Sequence, residues 1–128
     1  MSTKGNTIII DLDGTLCDIK KEGERYADVA PKLRIVEKLK EYKVAGFGIV
    51  IFTARNMRTF GGNMDKLREV TLPIIEKWLA THEVPYDEIV IGKPWPGENG
   101  FYIDDRTVRP NEFLNLTREE IIGLLDQR

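Results

Sequence analysis

The sequence has very little of the chemistry that soft metals and disulfide bonds require. It contains one cysteine, Cys17, and one histidine, His82, which lie far apart in the chain. A lone cysteine excludes an internal disulfide and favours a reducing compartment, so a cytoplasmic location is expected. Zinc centres normally use several cysteine or histidine ligands, so zinc is disfavoured. The expected chemistry therefore depends on side chains that carry oxygen and nitrogen.

The sequence also lacks an excess of charge of one sign and a long apolar run. Nineteen Lys and Arg residues against 21 Asp and Glu residues give a formal net charge of -2, and the two signs are mixed along the chain. A nucleic-acid-binding protein normally carries a basic stripe or tail, so no nucleic-acid partner is expected. No apolar run approaches the roughly 20 residues that span a bilayer, and the polar residues 1–6 do not resemble a secretory signal. We therefore expect neither a membrane partner nor export.

The apolar residues gather in short runs. A chain of 128 residues, 41% of them hydrophobic, is long enough for one core, which predicts a single domain over residues 1–128. Nearly continuous apolar runs are typical of strands covered on both faces. Such runs lie at residues 7–12, 48–53, 88–91 and 101–104. We interpret them as strands of one sheet.

Helical spacing of apolar residues fills the gaps between these runs. The first predicted helix has its apolar face at Ile35, Val36, Leu39 and Tyr42. Pro31 suits the first turn of this helix, where its missing N–H is not needed. A second pattern runs from Met64 to Leu79. Pro73 interrupts this pattern, so a kink or a new helix is expected near Thr71.

The C-terminal residues predict one more helix. Thr117 and Glu120 have the spacing of a capping box, in which each side chain accepts a hydrogen bond from the backbone of the other. The face expected to be buried consists of Ile121, Ile122, Leu124 and Leu125. The alternation of strands and helices predicts an α/β fold with a mostly parallel central sheet between two layers of helices.

Chemically useful side chains stand where the predicted strands end. They are Asp11, Asp13, Thr53, Lys93, Asp104 and Asp105. In open α/β sheets the functional crevice lies beyond the carboxyl ends of the strands, so these side chains are expected to converge on one rim. Ala54 and Arg55 follow Thr53 and are candidate phosphate- or substrate-binding residues. For Arg55 the alternative is a solvated side chain or an ion pair with an acid.

Asp11 and Asp13 are the proposed chemical centre of this rim. Residues two apart in an extended segment face the same side, so both carboxylates can address one ligand. Gly14 permits a sharp turn directly after them. Two nearby carboxylates tend to separate their protonation states. We therefore predict that Asp11 is the ionised nucleophile that attacks phosphorus and that Asp13 protonates the leaving alcohol.

The same acids predict a magnesium site. Asp11 with Asp104 or Asp105, a backbone carbonyl and waters would form an all-oxygen set that suits Mg²⁺. The cation would offset the repulsion between these acids and an incoming phosphate. Lys93 would add positive charge to the transferring phosphoryl group, and the Thr53 hydroxyl would donate to its oxygens.

The order of these residues resembles the motifs of the haloacid dehalogenase (HAD) superfamily across nearly the whole chain. Residues 8–15 (IIIDLDGT) resemble its first motif and residues 49–53 (IVIFT) its second. Lys93, in residues 91–94 (IGKP), resembles the third, and residues 102–105 (YIDD) resemble the fourth. The resemblance implies a HAD-like Rossmannoid core and an aspartyl-phosphate intermediate.

For the site residues the resemblance implies definite roles. Asp11 would be the nucleophile and a metal ligand. Asp13 would be the acid/base and would lend its backbone carbonyl to Mg²⁺. Asp104 would bind the metal directly, with Asp105 as outer support, and Thr53 would bind phosphate.

The resemblance also has consequences for the type of member. Asp13 separates phosphatases from the dehalogenase branch, which lacks this acid/base. About a dozen residues lie between Cys17 and the helix expected near Pro31, too few for an inserted cap domain. The chain therefore resembles a capless phosphatase, and a homo-oligomer is one expected way to cover its site.

Within the superfamily the chain resembles small phosphatases of capsule and surface-polysaccharide biosynthesis. The supporting segments are residues 11–17, 26–28, 51–55, 78–79, 85–87 and 92–94, with Pro31. The resemblance implies a small phosphorylated substrate, either a sugar phosphate or a phosphorylated glycan decoration. The alternatives are a polynucleotide-end phosphatase of the same superfamily, a receiver-type signalling module and a catalytically silent phosphate-binding relative.

Overall fold

Three parallel strands form the sheet of this protein in the computed structural model, which describes residues 5–127. They are β1 (Thr7–Ile10), β2 (Gly48–Thr53) and β3 (Glu88–Ile91), and β2 lies between the other two. Ile10 of β1 is level with Ile51 of β2, and Thr53 of β2 is level with Ile91 of β3. The α/β class and the parallel sheet are therefore confirmed.

The chain divides into two units, Met1–Trp95 and Pro96–Arg128. All three strands belong to the first unit. The prediction of a single domain over residues 1–128 stays a prediction. In residues 5–127 no helix has both the length and the apolar character of a membrane span.

The predicted bounds of β2 and β3 are correct, whereas β1 ends earlier than the apolar run. The prediction extended β1 to Leu12, but the strand ends at Ile10. The Leu12 carbonyl accepts the backbone N–H groups of Leu16 at 2.9 Å and Cys17 at 3.2 Å. Because Leu12 closes a turn through its backbone, it cannot continue the ladder, although its side chain is fully buried.

The first helix, α1 (Leu33–Val44), buries the predicted face of Ile35, Val36, Leu39 and Tyr42. The placement of Pro31 in its first turn was wrong. Lys32 caps the helix, and Pro31 lies before it, in an isolated bridge to Cys17. Pro31 therefore anchors the segment that enters α1, close to the turn that follows β1.

The second helical pattern contains the expected interruption. α2 (Met64–Lys66) is followed directly by a π-helical turn (Leu67–Thr71) and by α3 (Leu72–Thr81), with Pro73 in the first turn of α3. A proline ring clashes with the carbonyl four residues earlier and offers no N–H. The wider π-turn is the local adjustment that lets the chain remain helical through this point.

The core of the first unit joins this helix to the sheet. Its fully buried side chains include Leu12, Leu16, Ile35, Leu39, Ile49, Ile51, Leu67, Ile75 and Leu79. Trp78 of α3 is buried as well, and its indole N–H donates to the Val29 carbonyl at 2.8 Å. This hydrogen bond connects α3 to the segment that contains Tyr26.

The second unit contains α4 (Pro110–Asn115) and α5 (Arg118–Gln127). The predicted capping box of α5 is confirmed, because Glu120 N–H donates to Thr117 Oγ1 at 3.1 Å and Thr117 N–H donates to Glu120 Oε1 at 2.9 Å. The predicted buried face of α5 was wrong, since none of the residues of this helix is buried. Amphipathic spacing marks a face that can be buried but does not supply the surface that covers it.

The predicted strand at residues 101–104 is not formed. These residues have no strand assignment, and Phe101 and Ile103 are 77% and 90% exposed. An apolar run becomes a strand only when a neighbouring strand satisfies its backbone groups. In the described residues the sheet consists of β1, β2 and β3, so this segment has no place in its ladder.

Candidate active site

A tight turn follows β1 and carries the two predicted acids. Gly14 adopts φ +84°, and its N–H donates to the Cys17 carbonyl at 2.8 Å. This backbone conformation is strained for a residue with a Cβ atom, so glycine is required here. Asp11 precedes this turn and Asp13 lies within it, at the carboxyl end of β1. The local sequence therefore places both acids at the sheet edge where α/β proteins bind ligands.

Asp11 is held by one contact on each carboxylate oxygen. Thr15 Oγ1 donates to Oδ2 at 3.0 Å, and Lys93 Nζ lies 3.6 Å from Oδ1. The Asp11 side chain is 36% exposed, whereas that of Lys93 is 16% exposed. Each oxygen keeps a lone pair, so Asp11 is fixed in orientation and still accessible to a ligand.

Lys93 lies two residues after β3, and its side chain reaches Asp11. Gly92, directly after the strand, has φ +84°, and the Lys93 N–H donates to the Thr53 carbonyl at 3.1 Å. This hydrogen bond holds the start of the loop against the end of β2. The structure thus brings together Asp11 and Lys93, which are far apart in the sequence.

Arg55 donates hydrogen bonds to both carboxylate oxygens of Asp13. The guanidinium donates from Nη2 to Asp13 Oδ1 at 2.8 Å and from Nε to Oδ2 at 3.2 Å. The Arg55 side chain is 1% exposed, and that of Asp13 is 26% exposed. The structure pairs Arg55 with an acid, and a role of Arg55 in binding substrate stays a prediction.

Tyr26 and Cys17 complete the surroundings of this pair. The Arg55 guanidinium lies over the Tyr26 ring, 4.1 Å from its centroid. The Cys17 sulfur lies 3.5 Å from Asp13 Oδ1 and 3.6 Å from the Leu12 carbonyl oxygen, and its single S–H is shared between these two acceptors. Sequence reasoning did not assign either side chain to the site, because nothing in their spacing connects them to Arg55.

The pKa of Cys17 argues against a reactive thiol. Burial, and then the nearby Asp13 carboxylate, raise the pKa of Cys17 to about 12. Burial is also the main reason why the pKa of Tyr26 is raised. Both groups are therefore protonated at neutral pH, and Cys17 acts as a small buried donor, not as a nucleophile.

Thr53 ends β2 and is almost completely buried, with 1% exposure. Its Oγ1 accepts the Arg55 N–H at 3.1 Å. As an acceptor in this bond the hydroxyl keeps its own proton for donation. The bond also fixes the backbone turn through Ala54, so Thr53 positions the arginine as well as ending the strand.

Asp104 and Asp105 belong to the second unit, where both are exposed. The Arg106 N–H donates to Asp104 Oδ1 at 3.1 Å. This backbone hydrogen bond, followed by the contact with Asp105, lowers the pKa of Asp104. Asp104 is thus favoured as a carboxylate, the form that a metal ligand requires.

The acids after β1 offer the oxygen donors that a hard cation needs. Asp11 offers partly exposed carboxylate oxygens, the donor type that Mg²⁺ prefers. Within residues 5–95 no three or more His, Cys, Asp or Glu side chains are grouped as a metal site. The donor chemistry fits Mg²⁺, and the set of Asp11, Asp13, Asp104 and Asp105 stays a prediction.

Comparison with solved structures gives a close relative. A crystal structure described as an MCSG target from Vibrio cholerae has 53% sequence identity and a TM-score of 0.91, covering 96% of this chain and 98% of its own. That description states no activity. No family model matches the sequence. No curated protein matches it either.

More distant likeness is limited to the fold. A chain of a Pnkp1/Rnl/Hen1 complex has 22% identity and a TM-score of 0.50, covering 89% of this chain and 36% of its own. A chain of the Pnkp1/Rnl/Hen1 RNA repair complex has 22% identity and a TM-score of 0.48, covering 70% of this chain and 27% of its own. At this level of identity the first of these supports a shared α/β architecture and nothing about activity.

Proposed function

We propose that this chain, which belongs to the same family as the Vibrio cholerae protein, is a Mg²⁺-dependent phosphatase of the HAD superfamily. The observation that carries the proposal is the setting of Asp11 at the end of β1. Its carboxylate is oriented by Thr15 and Lys93 and is still accessible, with a second acid, Asp13, two residues away. An ordinary aspartate is ionised at neutral pH and needs no activation to attack phosphorus.

In the first proposed step Asp11 attacks the phosphorus atom of a phosphate monoester. A bond forms between an Asp11 oxygen and phosphorus, and the bond between phosphorus and the substrate's ester oxygen breaks. The cycle requires Asp13 to be protonated before this step, and Asp13 gives that proton to the departing oxygen, which leaves as an alcohol. The product of this step is an aspartyl-phosphate on Asp11 and an ionised Asp13.

In the second proposed step water resolves the intermediate. Asp13 takes a proton from a water molecule as its oxygen attacks phosphorus, and the bond between phosphorus and Asp11 breaks. Inorganic phosphate leaves, Asp11 is again a carboxylate, and Asp13 again carries a proton. Atoms and charge balance over the two steps.

Lys93 and Thr53 are proposed to bind the transferring phosphoryl group, with Ala54 beside them. The ammonium of Lys93 already lies 3.6 Å from the nucleophile, where it would face the charge that develops on the phosphoryl oxygens. The Thr53 hydroxyl keeps a proton to donate. Bound Mg²⁺, held by Asp11, the backbone carbonyl of Asp13 and Asp104, with Asp105 in support, would neutralise the negative charge of the acids and the phosphate.

The proposed substrate is a sugar phosphate or a phosphorylated glycan decoration in capsule or surface-polysaccharide biosynthesis. This part of the proposal is supported by the sequence resemblance given above, which lies in residues 11–17, 51–55 and 92–94 among others. The proposed fold is accordingly the three-layer, capless HAD-like core, and the proposed location is the cytoplasm.

The test is phosphate release from a panel of sugar, polyol and nucleotide phosphates and an oligonucleotide with a terminal phosphate. We expect turnover that needs Mg²⁺, stops with EDTA, and falls by about a thousandfold or more in Asp11→Asn, because the nucleophile is lost. The preferred member of the panel distinguishes a sugar phosphatase from a polynucleotide-end phosphatase.

Asp65→Asn is the matched control, because this acid is 96% exposed and lies on α2. It should turn over at the wild-type rate. No turnover by folded wild type on any compound, with or without Mg²⁺, would contradict the proposal. Stable phosphorylation without release would favour a receiver-type module instead.

A further inference from the structure

The ion pair between Arg55 and Asp13 is built more firmly than a surface salt bridge. The arginine uses two nitrogens of its planar fork, and its side chain is 1% exposed. The Tyr26 ring covers the guanidinium at 4.1 Å, and Thr53 Oγ1 accepts the Arg55 backbone N–H at 3.1 Å. The arginine is therefore fixed at its backbone, on its face and at its tip.

The two oxygens of Asp13 are not held equally. Oδ1 accepts the shorter bond from Arg55, at 2.8 Å, and also the Cys17 thiol at 3.5 Å. Oδ2 accepts a single, longer bond from Nε at 3.2 Å. A carboxylate oxygen with one weak donor keeps more capacity to carry or accept a proton than one with two donors.

We infer that Arg55 is a positioning residue that anchors Asp13 through Oδ1 and thereby assigns proton transfer to Oδ2. This inference rests on the proposed function and adds to it how Asp13, the proposed acid/base, is oriented for proton transfer. A bidentate guanidinium fixes the plane of a carboxylate, which a lysine ammonium cannot do. Arg55 itself is covered by Tyr26 and does not touch the substrate in this role.

The inference predicts which substrates depend on Arg55. A poorly departing alkoxide needs the proton of Asp13 as the ester bond breaks, whereas p-nitrophenolate departs readily without one. A misdirected Asp13 therefore slows the release of an alkyl alcohol much more than the release of p-nitrophenol. The value of kcat/KM reports this step, because it covers events up to the first departure of product.

The experiment compares Arg55→Lys with wild type on an alkyl phosphate and on p-nitrophenyl phosphate. For the alkyl phosphate kcat/KM should fall by roughly tenfold to a hundredfold, since general acid catalysis contributes at least this much. For p-nitrophenyl phosphate the loss should stay within about threefold, because no proton is required. Thermal unfolding of both proteins establishes that the variant is folded.

Tyr26 provides a second pair of variants in case Arg55→Lys does not fold. Tyr26→Leu removes the aromatic face from the guanidinium, and Tyr26→Phe keeps it. We expect Tyr26→Leu to show the same dependence on the leaving group in weaker form, and Tyr26→Phe to match wild type. Cation–π contacts of this kind contribute on the order of 0.5–2 kcal/mol, about two- to thirtyfold in rate if fully expressed.

Three outcomes would overturn the inference while leaving the phosphatase proposal intact. Equal losses on both substrates would indicate a structural role of Arg55. A raised KM with unchanged kcat would indicate a direct substrate contact. A Tyr26→Phe variant as impaired as Tyr26→Leu would assign the effect to the hydroxyl. Failure of wild type to turn over these two substrates and every compound of the panel would instead overturn the proposed function and the inference together.

Discussion

At the scale of single residues, the position of Lys93 bears directly on the proposed reaction. Lys93 follows β3, and its side chain passes the end of β2 to reach Asp11 after β1. In the sequence it is only a lysine that follows an apolar run. Its side chain is mostly buried, and its backbone is bonded to the end of β2. A mostly buried ammonium next to the proposed nucleophile suits a group that stabilises charge in a transition state.

Replacement of Lys93 by methionine should lower kcat/KM by about a hundredfold, because the positive charge beside the phosphoryl group is lost while the stem is kept. Steady-state phosphate release on the preferred substrate measures this. Lys77→Met is the matched control, since Lys77 lies on the exposed side of α3. If both variants lose activity equally, Lys93 has no specific part in the reaction.

At the scale of elements, Asp87 connects three parts of the first unit. It precedes β3, its Oδ2 accepts from Lys43 of α1 at 2.6 Å, and the same oxygen accepts the Ile49 N–H of β2 at 2.8 Å. The Lys43 contact, followed by the backbone bond from Ile49, lowers the pKa of Asp87. The ionised form is therefore favoured in the folded protein.

A lowered pKa in the folded state gives stability that is present above the unfolded-state pKa and is lost as the pH falls through the folded-state value. Asp87→Asn should lower the free energy of unfolding by about 1 kcal/mol at pH 7, discounted for partial exposure. The difference from wild type should shrink below about pH 4, where the unfolded-state carboxyl becomes protonated.

Urea unfolding at pH 7 and at acidic pH measures this difference. Glu76→Gln, an exposed acid on α3, should change the unfolding free energy by less than about 0.5 kcal/mol at either pH. A cost of Asp87→Asn that stays constant down to pH 3 would show that the carboxylate's charge is not responsible.

At the scale of the whole molecule, the proposed capless core requires another means of excluding water from the site. The chain has no insertion long enough for a cap between Cys17 and Pro31, and these residues are bridged directly. A neighbouring copy of the chain is the expected cover, and water exclusion strengthens electrostatic contacts in an active site.

Sedimentation velocity at assay concentrations should therefore show a species heavier than one chain. Specific activity should fall on dilution as that species dissociates, because exposed sites would admit water. A monomer with full activity over the same range would contradict this prediction and leave the substrate, or a flap of the same chain, as the cover.

Local sequence was sufficient for much of the framework. The strands at residues 48–53 and 88–91, the buried face of α1 and the capping box of α5 follow from apolar spacing and capping chemistry. These features depend on neighbours within a few residues, so they can be read along the chain. The positions of Asp11 and Asp13 at a strand end follow for the same reason.

Contacts between distant residues were decided by the tertiary structure. Three such contacts join residues on different elements: Arg55 pairs with Asp13, the Tyr26 ring covers the Arg55 guanidinium, and Lys93 approaches Asp11. Residues 101–104 also depend on distant contacts. They form no strand, because an apolar run needs a neighbouring strand to pair with, and the local sequence does not determine whether one is present. Sequence alone determined which groups reach the ends of β1, β2 and β3, whereas their partners depend on strand order and packing, which act across the chain.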